Sequence, residues 1–173
     1  SWANPEKIKH GQISKEIELH LMIENPLPVI TQWKKLIPQT KRAIIHAEIS
    51  RPLSPIIDQI QKMHLEVGIA MNPETNFREY MHDLKRANVI LLLGVHPGKS
   101  GQKFLGESIL QKIKKAKSLF PDTVIAVDGG INKENIADII NAGASQLCTS
   151  SSIWNEKDPT TAFINLQNIA SIK

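Results

Sequence analysis

The chain has 173 residues, 41% of them hydrophobic, and carries a formal net charge of +4. That length suits one domain with a sizeable core, and no apolar run approaches the roughly 20 residues that a membrane helix needs. Aromatic residues make up 5% of the chain, which argues against a nucleic-acid surface of interleaved basic and aromatic side chains.

Short apolar strands alternate with longer amphipathic segments. The predicted strands are, in chain order, Ile17–Met22, Ala43–Glu48, Leu65–Ala70, Val89–Val95, Thr123–Asp128 and Gln146–Ser150. The predicted helices follow them, at residues 29–37, 52–63, 75–85, 105–119, 132–142 and 158–170. A strand followed by a helix, repeated along the chain, predicts parallel strands with helices outside them. Since no shift in composition divides the chain, we expect a single domain over residues 1–173.

The charged residues and the cysteine fit this outline. Lys112 is expected to face solvent, because Ile109 and Ile113 mark the buried stripe of its helix. Arg42 is expected at the surface. The single cysteine, Cys148, excludes an internal disulfide and indicates a reducing, cytoplasmic location.

Every predicted strand ends in a polar or glycine-containing loop. Polar groups that converge at the carboxyl ends of the strands are typical of the active face of a (β/α) barrel. An open doubly wound sheet would gather its ligands at one switch point instead. We therefore expect an α/β fold of the TIM-barrel type.

Asp128 follows the apolar run 124–127 and precedes Gly129 and Gly130. This pattern predicts a buried strand that meets a tight turn, and in α/β folds the chemistry lies at that end of the strand. The glycines let backbone amides approach a phosphate or a sugar. Taken by itself, Asp-Gly-Gly is explained equally well by an ordinary turn.

Two further loops have the composition of anion sites. The first includes Gly98, Ser100 and Gly101 and opens a predicted helix, where backbone amides bind anions, although a plain connection explains it as well. The second includes Ser150 and Ser151, and its alternative is an N-cap cluster. Because loops after the last barrel strands often bind phosphate, the two together favour a phosphorylated small substrate.

His20 lies near the end of the first predicted strand. A lone histidine there is best explained as a buried side chain bonded to a carbonyl, but with Asp128 at the same face it would supply half of a divalent-metal site. Met22 is expected to pack in the core, or else to line the pocket floor. His46 and Glu48 alternate on one strand, and we give them a supporting role as inward polar groups.

The chain resembles the ribulose-phosphate 3-epimerase family over nearly its whole length. The matching runs occur in family order and are 20–26, 46–48, 68–75, 95–104 and 127–131. The resemblance implies a (β/α)8 barrel, here with six of the eight β/α units, acting in pentose phosphate metabolism. It also implies the interconversion of D-ribulose 5-phosphate and D-xylulose 5-phosphate through an enediolate, with two carboxylates that move the C3 proton.

The resemblance further implies a role for individual residues. His20 would bind one divalent metal ion (zinc, iron, manganese or cobalt) and contact the substrate. Asp128 would be both a metal ligand and one of the two acid/base carboxylates. The residues implied in holding the phosphate are Gly98, Ser100, Gly101, Gly129, Gly130, Ser150 and Ser151, and those implied in lining the pocket are Met22 and Leu93.

Some positions depart from the family pattern. The serine and the His-x-Asp pair of the family's first two strands have no match here, so we expect an N-terminally incomplete sequence that is inactive when expressed alone. Lys99 and Ser100 replace a Phe-Gly pair, Ser150 replaces a glycine, and Leu93 replaces a methionine. These changes leave the identity of the sugar phosphate open.

Other functions are consistent with the same residues. A non-catalytic relative that binds a sugar phosphate is the first alternative, and an epimerase for another keto-sugar phosphate is the second. A decarboxylase or an aldolase-like synthase on the same barrel ranks lower. The small-molecule substrate is the expected partner, no nucleic acid or membrane is expected, and a homo-oligomer remains open.

Overall fold

The structure is a computed structural model that describes residues 4–8, 14–98 and 101–171. The described chain forms two compact units. The first unit contains residues up to Ala70 together with Arg78–Val89, and the second contains Met71–Phe77 together with residues from Ile90 onward. The expectation of a single domain stays a prediction.

The described chain contains strands and helices in regular alternation. The strands are β1 (Ile17–Leu21), β2 (Thr40–His46), β3 (Glu66–Met71), β4 (Val89–Leu93), β5 (Val124–Asp128) and β6 (Gln146–Cys148). The α-helices are α1 (Pro26–Leu36), α2 (Leu53–Lys62), α3 (Met81–Leu84), α4 (Glu107–Leu119), α5 (Ile136–Asn141), α6 (Ser151–Trp154) and α7 (Pro159–Ser171). Short 3₁₀ turns lie at Pro5–Lys7 and Phe77–Tyr80.

The strands form one sheet in the order β1-β2-β3-β4-β5-β6. Strand β1 is parallel to β2, β2 to β3, and β5 to β6. Parallel strands in chain order, each followed by a helical segment, confirm the predicted α/β class and are consistent with an incomplete (β/α)8 barrel. No helix among the described residues is long and apolar enough to cross a membrane.

The predicted boundaries differ from the observed ones where polar residues enter a strand. Strand β2 begins at Thr40, three residues before the prediction, because its polar start pairs with β1 and β3. Arg42 hydrogen-bonds Glu18 on β1 and Glu66 on β3, and only 16% of its side chain is exposed. The expectation of a surface arginine was therefore wrong, since sequence alone does not show these cross-strand carboxylates.

The predicted helix over 75–85 is two short pieces, the 3₁₀ turn at Phe77–Tyr80 and helix α3. The loop that leads into them is held by Lys112 of α4, whose Nζ donates to the backbone oxygens of Asn72, Pro73 and Thr75 at 2.6, 3.0 and 2.7 Å. The same ammonium lies 5.4 Å from the centre of the Phe77 ring. The prediction that Lys112 faces solvent was wrong, because an ammonium group can satisfy several carbonyls at once.

Replacing Lys112 with methionine is expected to lower the free energy of unfolding by about 2 kcal/mol, because hydrogen bonds to a charged group are among the stronger ones. Urea unfolding measures the change. Lys114→Met on the exposed side of α4 is the matched control and should stay within about 0.5 kcal/mol of the wild type. Equal stability of both variants would show that the loop does not depend on Lys112.

Candidate functional site

Two histidines meet at the carboxyl ends of β1 and β2 in the first unit. The Nε2 atoms of His20 and His46 are 2.9 Å apart. His20 pairs in register with Ile44, two residues before His46, so both histidines lie on the same face of the sheet. His46 is 8% exposed, and its Nδ1 lies 3.4 Å from Oε2 of Glu48. His46, which was predicted only to support the site, therefore contacts His20 directly. Glu48, predicted in the same role, contacts His46 on the other side of its ring.

The loops that follow β1 and β2 are also joined. Oε2 of Glu24 accepts hydrogen bonds from the backbone amide and the hydroxyl of Ser50, each at 2.9 Å. These bonds hold the pKa of Glu24 below its ordinary value. Met22 lies between His20 and Glu24 in the chain and is 56% exposed. The expectation that Met22 packs in the core was therefore wrong.

Three loops of the second unit line one cavity of about 1150 Å³. Gly101 comes from the loop between β4 and α4, Gly130 from the loop after β5, and Ser151 from the start of α6. These are the three loops from which sequence predicted a phosphate site. The positive and negative side chains that line the cavity are equal in number. They are Lys103, Lys133, Lys157, Glu134, Glu156 and Asp158. The binding of an anion in this cavity would therefore depend on backbone amides more than on the net charge of the side chains.

The glycines after β5 are packed against the β4–α4 loop. Gly94 donates its amide to the carbonyl of Asp128 at 2.7 Å and accepts from the amide of Leu105 at 2.9 Å. Gly130 has a φ of +70°, and a Cβ added to it would lie 2.4 Å from the backbone nitrogen of Phe104. Gly129 has a φ of +105°, and a Cβ added to it would lie 2.6 Å from Cγ2 of Val95. These glycines therefore let the two loops pack closely against each other.

The remaining predicted residues are placed as follows. Asp128 is the last residue of β5, half-buried, and pairs in register with Cys148 on β6. Gly98 is exposed with a φ of +128°, and Ser150 is the exposed residue before α6. Leu93 is 3% exposed in β4. Ser100, like Lys99, lies outside the described residues.

Sequence reasoning missed two residues of the second unit. Phe104 lies against Gly94 and Gly130, and the hydroxyl of Ser152 donates to the carbonyl of Ile131 at 2.6 Å. The serine ties the start of α6 to the loop after β5. Neither had a signal in the sequence beyond its place in a predicted loop, because both act through contacts between distant segments.

The first unit contains the types of donor atom that bind a divalent metal. Imidazole nitrogens and a carboxylate suit zinc, iron, manganese and cobalt, and a carboxylate behind a histidine is a common way to orient such a ligand. Among the described residues, however, no group of three or more His, Cys, Asp or Glu side chains comes close enough to hold a metal. A metal site at His20 therefore stays a prediction.

Comparison with known proteins gives a consistent family. Residues 5–154 match the profile described as "Ribulose-phosphate 3 epimerase family". The chain is 33% identical over 157 residues to the ribulose-phosphate 3-epimerase of Helicobacter pylori strain J99, covering 88% of this chain and 71% of that protein. It is 33% identical to the Bacillus subtilis ribulose-phosphate 3-epimerase over 156 residues, covering 87% of this chain and 70% of that one.

Solved structures similar to this chain have low sequence identity and bear on the fold alone. Orotidine 5'-monophosphate decarboxylase from Sulfolobus solfataricus matches with a TM-score of 0.70 at 16% identity, over 97% of this chain and 80% of that one. Thiamine phosphate pyrophosphorylase from Pyrococcus furiosus matches with a TM-score of 0.57 at 14% identity, over 98% and 88% of the two chains.

Proposed function

The chain belongs to the ribulose-phosphate 3-epimerase family of isomerase-type enzymes, and we propose that it interconverts D-ribulose 5-phosphate and D-xylulose 5-phosphate. The observation that carries the proposal is the cavity of the second unit. Three loops with glycine or serine line it, and one of them begins directly after the carboxylate of Asp128.

The phosphate would bind at the glycine and serine loops. Gly101, Gly130 and Ser151 already line the cavity, and backbone amides at such loops and helix starts attract anions. Binding the phosphate there would fix one end of the substrate and leave the sugar carbons to reach the strand ends. Gly98, Gly129 and Ser150 belong to the same loops, and Ser100 is assigned with them from the family pattern.

Epimerisation at C3 needs a base on one face of the carbon and an acid on the other. The C3 proton is acidic because the neighbouring C2 carbonyl accepts the charge as an enediolate. Asp128 removes or returns this proton on one face, and a second carboxylate acts on the opposite face. Asp128 would also be a ligand of a divalent metal, which when bound would supply positive charge that stabilises the enediolate.

Metal removal is expected to stop turnover. Treatment of the full-length protein with a chelator should lower the rate of xylulose 5-phosphate formation by at least about 10²-fold, because several kcal/mol of charge stabilisation are lost. Adding back zinc, iron, manganese or cobalt, one at a time, should restore the rate and identify the metal. Undiminished turnover in the chelated protein would contradict metal dependence.

A non-catalytic sugar-phosphate-binding relative is the second candidate. It is favoured by the absence of a three-ligand cluster among the described residues. Calorimetry with ribulose 5-phosphate and a turnover assay on the same sample separate the two. Binding without turnover at saturating metal supports the binding protein, whereas turnover supports the epimerase.

A further inference from the structure

The loop after β3 is held by one side chain of α4. Its segment 72–75 forms a turn, closed by the amide of Thr75, which donates to the carbonyl of Asn72 at 3.2 Å. The Nζ of Lys112 donates to the carbonyls of Asn72, Pro73 and Thr75 at 2.6, 3.0 and 2.7 Å. An ammonium group has three hydrogens to donate, so this one side chain can bind all three carbonyls.

The charge of Lys112 stabilises the shape of this segment. Carbonyl oxygens that point to one place repel one another, because each carries a partial negative charge. The ammonium offsets that repulsion. It also lies 5.4 Å from the centre of the Phe77 ring, which is buried just beyond the segment. The segment is therefore attached to α4 by charge as well as by hydrogen bonds.

The same segment contacts the β4–α4 loop, and all of these residues belong to the second unit. Oε1 of Glu74 lies 3.1 Å from Nδ1 of His96, near the start of that loop. The carbonyl of His96 accepts from Nε2 of Gln102 at 2.6 Å, and Gln102 lines the cavity. The loop then continues into α4, which carries Lys112. The segment therefore contacts the start of the loop and also the helix that follows its end.

We propose that Lys112 is a positioning residue for the substrate phosphate. By holding the segment 72–75 on α4, it fixes the two ends of the β4–α4 loop relative to each other, and with them the cavity wall formed by Gly101 and Gln102. Backbone amides bind an anion more tightly when they are held in the bound arrangement beforehand. The inference deepens the proposed function, because it rests on this cavity as the phosphate site.

Binding of inorganic phosphate to the full-length protein tests the proposal, with phosphorus-31 NMR as the measurement. In folded Lys112→Met we expect the dissociation constant to rise about 3–10-fold, because the loop must be ordered when the phosphate binds. The KM for ribulose 5-phosphate should rise by a similar factor while kcat stays within about twofold, since the lost interaction affects binding and not proton transfer. Lys114→Met, on the exposed side of α4, is the control and should bind phosphate as the wild type does.

A purely structural role predicts a different result. It would make Lys112→Met less stable to urea but leave the phosphate affinity of the folded variant equal to that of the wild type, and this result would overturn the proposal. A wild-type protein that binds no phosphate would contradict the proposed function, and this proposal with it. Loss of affinity in Lys112→Met without any turnover by the wild type would support the role of Lys112 and contradict the epimerase.

A second variant decides the matter if Lys112→Met does not fold. Glu74→Ala removes the contact with His96 and leaves the three carbonyls of the segment in place, and the Glu74 side chain is 67% exposed. We expect its phosphate affinity to fall about 2–3-fold, the size of effect that an exposed contact can have. Glu79→Ala, at an exposed residue of the 3₁₀ turn that follows, is the matched control. Wild-type affinity in Glu74→Ala would then overturn the proposal.

Discussion

Asp128→Asn is expected to lower the rate of ribulose 5-phosphate epimerisation by about 10²–10⁴-fold, the usual contribution of a positioned acid or base. Asparagine keeps the size and the strand position of the side chain, which ends β5 in register with Cys148. It cannot take up or return the C3 proton. The backbone carbonyl of residue 128, which accepts from Gly94, is unchanged, so the fold should be retained.

A matched control is available on the next helix. Asp138→Asn makes the same chemical change at an exposed position of α5 and should leave the rate within about twofold of the wild type. Circular dichroism and urea unfolding of both variants establish that each is folded. Wild-type turnover by folded Asp128→Asn would exclude Asp128 as one of the proton-transfer carboxylates.

Gly130→Ala is expected to have the largest effect on stability, about 3 kcal/mol. A side chain at a φ of +70° costs about 1 kcal/mol, and the added Cβ would lie 2.4 Å from the backbone nitrogen of Phe104. Because the neighbour is backbone, it cannot move aside without displacing the whole β4–α4 loop. Urea unfolding of the full-length protein measures the loss.

Gly101→Ala separates the loss of stability that comes from backbone conformation from the loss that comes from steric overlap. Gly101 has a similar φ of +75°, but nothing lies within 4 Å of an added Cβ. Its substitution should therefore cost only about 1 kcal/mol. If the two alanine variants are equally stable, the loops do not cross as closely as described.

The apolar periodicity was enough to predict the class of fold and the order of its elements. Strand β5 and helix α4 are where their buried residues predicted them, because burial on a strand or along a helix stripe leaves a regular pattern. The apolar pattern does not predict where a strand begins when its first residues are polar. Thr40 to Arg42 belong to β2 because of carboxylates on the neighbouring strands, and those neighbours are more than twenty residues away in the chain.

The candidate site was predictable where it consists of loops that follow strands. Gly101, Gly130 and Ser151 line one cavity, as their positions after three strands suggested. The contact of His20 with His46 was not predictable, since it depends on the register between β1 and β2. The close approach of Phe104 to Gly130 is likewise a contact between two loops, for which a single sequence gives no signal.

Solvent exchange at C3 of ribulose 5-phosphate tests the central claim most directly. The full-length protein with one saturating divalent metal is incubated with the substrate in deuterium oxide and followed by proton NMR. The two-carboxylate reaction predicts that the C3 proton is replaced by deuterium while xylulose 5-phosphate forms. The absence of exchange with every pentulose and hexulose phosphate offered, at saturating metal, would contradict the proposed epimerase.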